Sequence, residues 1–214
     1  MSSPVPGFLA ANAIFVDSDG HVYIGGRNSS NNAIISVDGV ISTLPDGHGV
    51  NQITQKDGHV YVLGYGGQNF ASMIWTDGVS HPLTTLSKGN GLASDANGIY
   101  IAGNALNNAG LAIDKNGTVT LLNQNGNFVN AMAVNGGHTY VVGGDLNSTP
   151  ALWTDGSISS LTGFIAVAAV AVDDSHIYIG GRNSANHAAI AIDGVGTELN
   201  ANGGAINSLS VYVH

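Results

Sequence analysis

The chain has no cysteine, so it forms no disulfide and offers no thiolate to a metal or a substrate. Charge is scarce. Only 9% of residues are charged, with five Lys and Arg against fourteen Asp and Glu, a formal balance of −9. So thin a basic complement excludes nucleic acid, whose binding needs clustered cations that displace counterions. It excludes docking on anionic lipid for the same reason. No apolar run approaches the roughly 20 residues that span a bilayer, so the reading is a soluble chain without membrane insertion. Arginine occurs only at Arg27 and Arg182, and glutamate only at Glu198. The start, Met1 to Gly7, has neither a basic n-region nor a long apolar stretch and does not read as a signal peptide. Compartment stays open, with a secreted or extracytoplasmic setting favoured over the cytosol.

What is abundant is glycine, 31 residues of it, together with Asn and Ser and a 43% hydrophobic fraction. At 214 residues the chain fits one domain with its own core. The glycines punctuate a repeat. Its anchor is Tyr-x-x-Gly, at Tyr23, Tyr61, Tyr100, Tyr140 and Tyr178, spaced by 38 to 40 residues. A second anchor has its glycine 16 or 17 residues after each tyrosine: Asp38-Gly39, Asp77-Gly78, Asn116-Gly117, Asp155-Gly156 and Asp193-Gly194.

Each unit reads as four short strands, a to d. Strand a carries Asn-x-apolar, as in Asn12-Ala-Ile14, Asn51-Gln-Ile53 and Asn130-Ala-Met132; unit five has Ala168 instead, and unit three departs from the pattern around Leu92. A tight polar turn leads to strand b, which holds the tyrosine. A longer Gly/Asn/Ser loop leads to strand c, with Trp75 and Trp153 at equivalent places. The Asp-Gly dipeptide then closes a c–d hairpin, because its two-residue turn needs positive φ. Strand d ends in a leucine: Leu44, Leu83 or Leu86, Leu121 or Leu122, Leu161, Leu199.

No segment keeps a helical period, and β-branched alternation runs throughout. Units of about 40 residues with four strands predict an all-β, five-bladed β-propeller, with blades at about 11–48, 49–88, 89–127, 128–164 and 165–203. Residues 204–214 are a closing or extra strand, since Asn207-Ser-Leu-Ser-Val211 is a sixth copy of strand a. That copy can pair locally, displace the first, or reach a neighbouring molecule, giving a monomer or a strand-exchanged oligomer.

These repeats resemble the β-propeller superfamily, and in blade count and size the chain looks like the small tachylectin-type sugar-binding propellers. The likeness covers nearly the whole chain and is architectural. The tryptophan-rich, glycine-framed sugar-binding repeat of those proteins has no counterpart here. The resemblance therefore implies a lectin-like role without naming binding residues.

Connectivity puts the a–b and c–d turns on one rim and the b–c and d–a loops on the other. The second rim varies and is the expected binding face. Its candidate residues are Arg27, Asn28, Tyr65, Gln68, Asn104, Asp145, Arg182 and Asn183. Ring closure predicts that Arg27 and Arg182, both within Gly-Gly-Arg-Asn-Ser, sit side by side; each offers a planar fork of donors to carboxylates or hydroxyls, or else holds its own loop. Trp75 and Trp153 read as core rather than as stacking platforms.

His21, His59, His138 and His176 precede strand b one per blade, too far apart around a ring to hold a metal. Asp17-x-Asp19-Gly20 mimics the opening of a calcium loop but lacks the later bidentate glutamate, and a plain turn explains it. No nucleophile elbow or phosphate loop is present. The expected function is a non-enzymatic module, without cofactor or metal, that binds glycans or other neutral polar ligands; the alternative is a scaffold for protein partners.

Overall fold

The computed structural model describes residues 5–123, 126–200 and 203–211. Residues 201–202 at the end of the expected blade five and 212–214 of the expected closing segment lie outside the described residues. Strands β1–β4 span Ala10–Val16, Val22–Arg27, Ala33–Val37 and Val40–Thr43; β5–β8 span Gly47–Lys56, His59–Gly66, Ala71–Thr76 and Val79–Pro82. Strands β9–β12 span Leu86–Asp95, Gly98–Ala105, Leu111–Lys115 and Thr118–Asn123; β13–β16 span Gly126–Asn135, His138–Asp145, Pro150–Thr154 and Ser157–Ser160. Strands β17–β20 span Phe164–Val172, Ile177–Asn183, Ala188–Ile192 and Val195–Asn200. Each set of four is one antiparallel sheet in chain order, giving five sheets. Strands a of successive sheets pack on one another around an axis. The chain is a five-bladed β-propeller.

The second anchor does what its chemistry requires. Asp38, Asp77, Asn116, Asp155 and Asp193 have φ between 48° and 51°, and each following glycine has φ between 81° and 87°. Two successive positive φ values define the hairpin turn that matches strand twist.

The Tyr-x-x-Gly glycine has a different cause. A Cβ on Gly26, Gly64, Gly103, Gly143 or Gly181 would collide with a strand a carbonyl, that of Ala10, Gly49, Lys88, Phe128 or Ala166 respectively. The carbonyl comes so close because strand a bulges beside it. Pairing with strand b slips by one residue at Asn12, Asn51, Asn90, Asn130 and Ala168 in turn. A bulge re-aims the extra side chain, and here it turns the asparagine toward the next blade. Asn12, Asn51, Asn90 and Asn130 donate through Nδ2 to the carbonyls of Val50, Gly89, Val129 and Val167, at 3.4, 3.4, 2.7 and 2.6 Å. Unit three thus keeps the strand a pattern as Asn90-Gly91-Leu92, contrary to the sequence reading. Its alternation was obscured by the glycine between them.

Between blades the core is apolar and alternates. Blades two and four put Trp75 and Trp153, both fully buried, at a strand c position that holds Ser36, Asp114 and Ala191 in blades one, three and five. Trp75 packs with Ala33 and Leu44 of blade one and donates Nε1–H to the Pro45 carbonyl at 2.9 Å. Trp153 packs likewise with Leu111 and Leu122 of blade three. Of the two leucine alternatives, Leu83 makes the backbone bond equivalent to that of Leu44, and Leu122 points inward while Leu121 is exposed.

Closure differs from the expectation that blades one and five touch directly. Residues 203–211 carry no strand pairing, yet they stand where strand a of a sixth blade would stand. A Cβ on Gly180 would meet Ile206 and Leu209, as one on Gly25 would meet Val50 and Ile53 of blade two. The Ile206 amide donates to Gly181 O and the Ile14 amide to Ser208 Oγ, both at 3.3 Å. The sixth copy lies against blades five and one without the strand pairing expected of it, and β1 keeps its pairing with β2.

Trp75→Ala should cost about 3–5 kcal/mol of stability, the usual penalty for deleting a large buried aromatic. Equilibrium denaturation of the purified variant checks this; a loss under about 1 kcal/mol would show that the tryptophan does not seal the blade interface.

Candidate functional site

The two rims differ in how tightly they are tied. On the a–b and c–d rim, His21, His59, His138 and His176 each place Nδ1 2.6–2.7 Å from a carboxylate oxygen of Asp38, Asp77, Asp155 or Asp193. The other oxygen of each aspartate accepts the amide of Val22, Val60, Thr139 or Ile177 at 2.8–2.9 Å. One turn is thereby clamped to the other in four blades. In blade three Asn116 accepts from the Ile99 amide at 3.0 Å, and Gly98 replaces the histidine because a Cβ there would run into Asn116.

Asp17 is equally committed to its turn. It accepts from the amides of Asp19 and His21 at 3.0 and 2.9 Å and from the Tyr23 hydroxyl at 3.0 Å. Burial pushes its pKa up, but these bonds outweigh it and hold the group below its ordinary value. Among the described residues no three His, Asp or Glu side chains gather as a metal site would require.

Two cavities open on the b–c and d–a rim, and a third of about 300 Å³ lies on the opposite rim between blades three and four, beside Gly137, Asp155 and Gly156. A mouth of about 520 Å³ opens on the axis, lined by Asn12, Asn51, Asn90, Asn130, Asn207 and Arg182 among others. Below it the channel narrows, where Gln52 spans it by accepting from the Leu92 amide and donating to Met132 O, both at 2.9 Å. A second cavity of about 400 Å³ adjoins the mouth between blades two and three, sharing Asn51 and Asn90 and adding Tyr65, Phe70, Ser72, Ser87 and Lys88.

Of the candidates from sequence, the structure brings Arg182 to the mouth and Tyr65 to the adjoining cavity. Asn28, Asp145 and Asn183 share one repeat position and spend their Oδ1 on their own loops. They accept from Ser30 and Asn32, from Asn147 and Thr149, and from Ala185 and His187, all at 2.8–3.0 Å. Arg27 and Arg182 each donate to a loop asparagine, Asn31 at 3.3 Å and Asn186 at 3.1 Å. The C-terminal segment comes between their blades. Asn104 reaches blade four through Asn127 O at 3.0 Å, and Gln68 is exposed on its loop.

The residue that sequence reasoning missed is Phe70. Four places after the Arg27 repeat position in blades one and five, and at the matching place two before strand c in blade four, stand Asn31, Asn186 and Ser148 with φ of 58°, 68° and 61°; the strand c register makes Phe70 their equivalent in blade two. Blade two puts Phe70 there at φ 53°, although a bulky side chain is a poor occupant of the left-handed region. The ring is 66% exposed and lies 4.8 Å from His48 and 6.4 Å from Tyr65, centroid to centroid. Tyr65 itself occupies the repeat position of Arg27. Blade two has exchanged the Arg–Asn pair of this rim for an aromatic pair.

No known family model matches the chain, and no curated protein does. Solved structures do match. A structural-genomics protein of unknown function from Bacteroides thetaiotaomicron aligns at a TM-score of 0.56 and 16% identity, over 90% of this chain and 58% of that one. A GH43 endo-arabinanase from Bacillus licheniformis aligns at 0.45 and 12%, over 86% and 95% of the two chains. A computationally designed protein, Ika4, aligns at 0.42 and 18%, over 72% and 98%. At such identities the first likeness speaks for the fold alone, and the chain spans little more than half of that protein's length.

The opposite rim yields a pH test. The bond from Asp38, then its charge and that of Asp17, raises the His21 pKa; the bond from Asp193 raises that of His176. Asp38 and Asp193 are held below their ordinary 3.8, first by the Val22 and Ile177 amides and then by the histidines. A raised histidine contributes fully below its unfolded value of about 6.5 and loses that contribution as pH climbs through the folded one. A depressed aspartate contributes above its unfolded value and loses that as pH falls through the folded one. The clamps are therefore strongest between about pH 4 and 6.5. The melting temperature should decline modestly from pH 6 to pH 8.5, since the pairs are exposed. His21→Gln with His176→Gln should flatten that slope in thermal scans.

Proposed function

We propose that the chain is a non-enzymatic binding module that takes neutral polar ligands, glycans above all, at the rim of its b–c and d–a loops. Phe70 carries the reading. A phenylalanine held at positive φ costs about 1–3 kcal/mol relative to a relaxed backbone, and its exposed ring gains little from burial in return. Strain of this kind collects at ligand sites.

The surroundings complete a sugar-like site. An aromatic face meets the apolar C–H side of a ring, while Asn51, Asn90, Ser87 and Lys88 line the same cavity as hydrogen-bonding groups. The neighbouring mouth repeats amide side chains around the axis, with Arg182 the one cation among its lining residues. Amides suit hydroxyls better than they suit ions. The architectural likeness to sugar-binding propellers points the same way. The second reading, a scaffold for protein partners, draws on the exposed Ile192 and Leu199 of blade five.

Phe70→Asn separates site from structure. On a glycan array the wild-type chain should retain a defined sugar class, and the variant should bind it at least about tenfold more weakly. Its melting temperature should hold or rise, because asparagine tolerates that backbone. Undiminished sugar binding by the variant would remove Phe70 from the site. Failure to bind any sugar, with a protein partner captured instead, would favour the scaffold.

A further inference from the structure

Blade three breaks the repeat where it meets blade four. The last residue of strand c, paired with the anchor tyrosine, is Val37, Thr76, Thr154 or Ile192 in the other blades and Lys115 in blade three. The strand d residue paired three places before it is Thr43, Pro82, Ser160 or Glu198 elsewhere. In blade three it is Leu121, which is 51% exposed. The turn clamp is also missing, with Asn116 and Gly98 in place of aspartate and histidine, so no carboxylate follows Lys115. These changes meet at the cavity of about 300 Å³ on the a–b and c–d rim. Ile113, Leu121 and Leu122 give it an apolar wall together with Lys115, and Gly137 and Asp155 line it from blade four.

Lys115 is one of five cations in a chain with fourteen acids, yet it makes no ion pair among the described residues. Its ammonium lies 5.0 Å over the Tyr100 ring, a cation–π contact that keeps it at the cavity wall. Asp155, the one acid among the lining residues, is already committed. Its Oδ2 stands 2.7 Å from His138 Nδ1, and its Oδ1 accepts the Thr139 amide at 2.8 Å. Tyr100 is buried and its hydroxyl makes no well-formed hydrogen bond, whereas Tyr23 and Tyr178 donate to Asp17 and Asp173 at 3.0 and 2.9 Å. Their counterpart Asp95 accepts instead from the amides of Asn97 and Gly137, at 2.7 and 3.0 Å. Burial pushes the Asp95 pKa up, but these bonds and the nearby Tyr100 hydroxyl hold it below its ordinary value. A buried donor without a full partner is costly, so both polar groups on the blade three side are donors in want of an acceptor.

The geometry points to this cavity as a binding site for a small monocarboxylate with an apolar body, aromatic or branched aliphatic. The carboxylate pairs with Lys115, which has no carboxylate partner among the described residues, and the Tyr100 hydroxyl is a second donor to it. The body of the ligand covers Ile113, Leu121 and Leu122. An apolar surface with a few polar groups is the usual make-up of a small-molecule pocket, and this volume falls at the small end of such pockets. A cationic ligand would meet no free carboxylate, since Asp155 is bonded on both oxygens. The site lies on the rim opposite the b–c and d–a loops and stands independently of the function proposed there.

Isothermal titration of the full chain with benzoate, phenylacetate and isovalerate tests the site. At least one acid should bind one-to-one with a Kd under about 1 mM, and its uncharged amide at least about fivefold more weakly. Lys115→Met should bring the acid down to the affinity of the amide. Leu121→Thr, which supplies the residue of blade one, should weaken the acid at least about threefold. Both side chains are exposed, and circular dichroism checks that the variants fold. Phe70→Asn should leave acid binding unchanged; its loss there would place the acid at the loop rim and overturn the assignment. A Kd above about 1 mM for all three acids overturns it as well. So does an amide that binds as tightly as its acid, or acid binding that Lys115→Met leaves intact.

Discussion

The fold depends on one close approach, the carbonyl of a bulged strand a lying against a glycine of strand b. Five sheets can converge on an axis only if their inner strands are narrow and keep their polar groups satisfied where they crowd together. The bulge achieves both. It tightens the inner edge so that a Cβ on Gly26 or Gly143 would strike a carbonyl, and in blades one to four it frees an amide side chain to bond to the next blade. A buried polar group without a partner is expensive, so a chain of Asn-to-carbonyl bonds around the axis favours each blade only in the presence of its neighbour. Strand a, its asparagine and the anchor glycine are one device. None of the three is explained without the others.

That linkage sets how much was legible in the sequence. Tyr-x-x-Gly and Asp-Gly recur at fixed spacing because each meets a local steric demand, and local demands leave local signatures. Blade count, strand number and the placing of the b–c and d–a loops on one rim follow from them. The bulge left only the asparagine. A one-residue register slip does not disturb the apolar positions on either side, so Asn12 and its equivalents read as ordinary strand residues. Three of the loop candidates are bound into their own loops for a related reason. Asn28, Asp145 and Asn183 look like ligand residues by type, yet a short side chain with an acceptor in a tight loop bonds its own backbone first. Phe70 went unnoticed because its peculiarity is conformational. Nothing in its neighbours' identities announces a positive φ, and only its three counterparts in other blades do.

Neighbouring blades are not equivalent. Tryptophan in blades two and four stands where blades one, three and five have small or polar residues, so the packing unit is a pair of blades with the large side chain on the second member. Blade five presents the receiving surface, Ala188 and Leu199, and the segment 206–211 places Ile206 and Leu209 over Gly180. The hydrogen-bonded girdle weakens there, since Ala168 has no amide to donate. Asymmetry of packing and asymmetry of bonding coincide.

The two rims show how one repeat supports both rigidity and variation. On the a–b and c–d side each aspartate holds a backbone amide and a histidine at once, so the turn cannot change length or composition without losing both bonds. On the other side the loop backbone is held by a single side-chain oxygen, that of Asn28, Asp145 or Asn183, which leaves neighbouring positions free of structural duty. Blade two lacks even that residue and has Gly66 and Gly67 there instead. The loop with the least internal bonding is also the one that carries an exposed, strained aromatic pair. A loop released from holding itself can hold something else, and the left-handed backbone that its counterparts use for turning here serves to present a ring to solvent. On the proposed reading, binding belongs where the repeat is broken, not where it is kept.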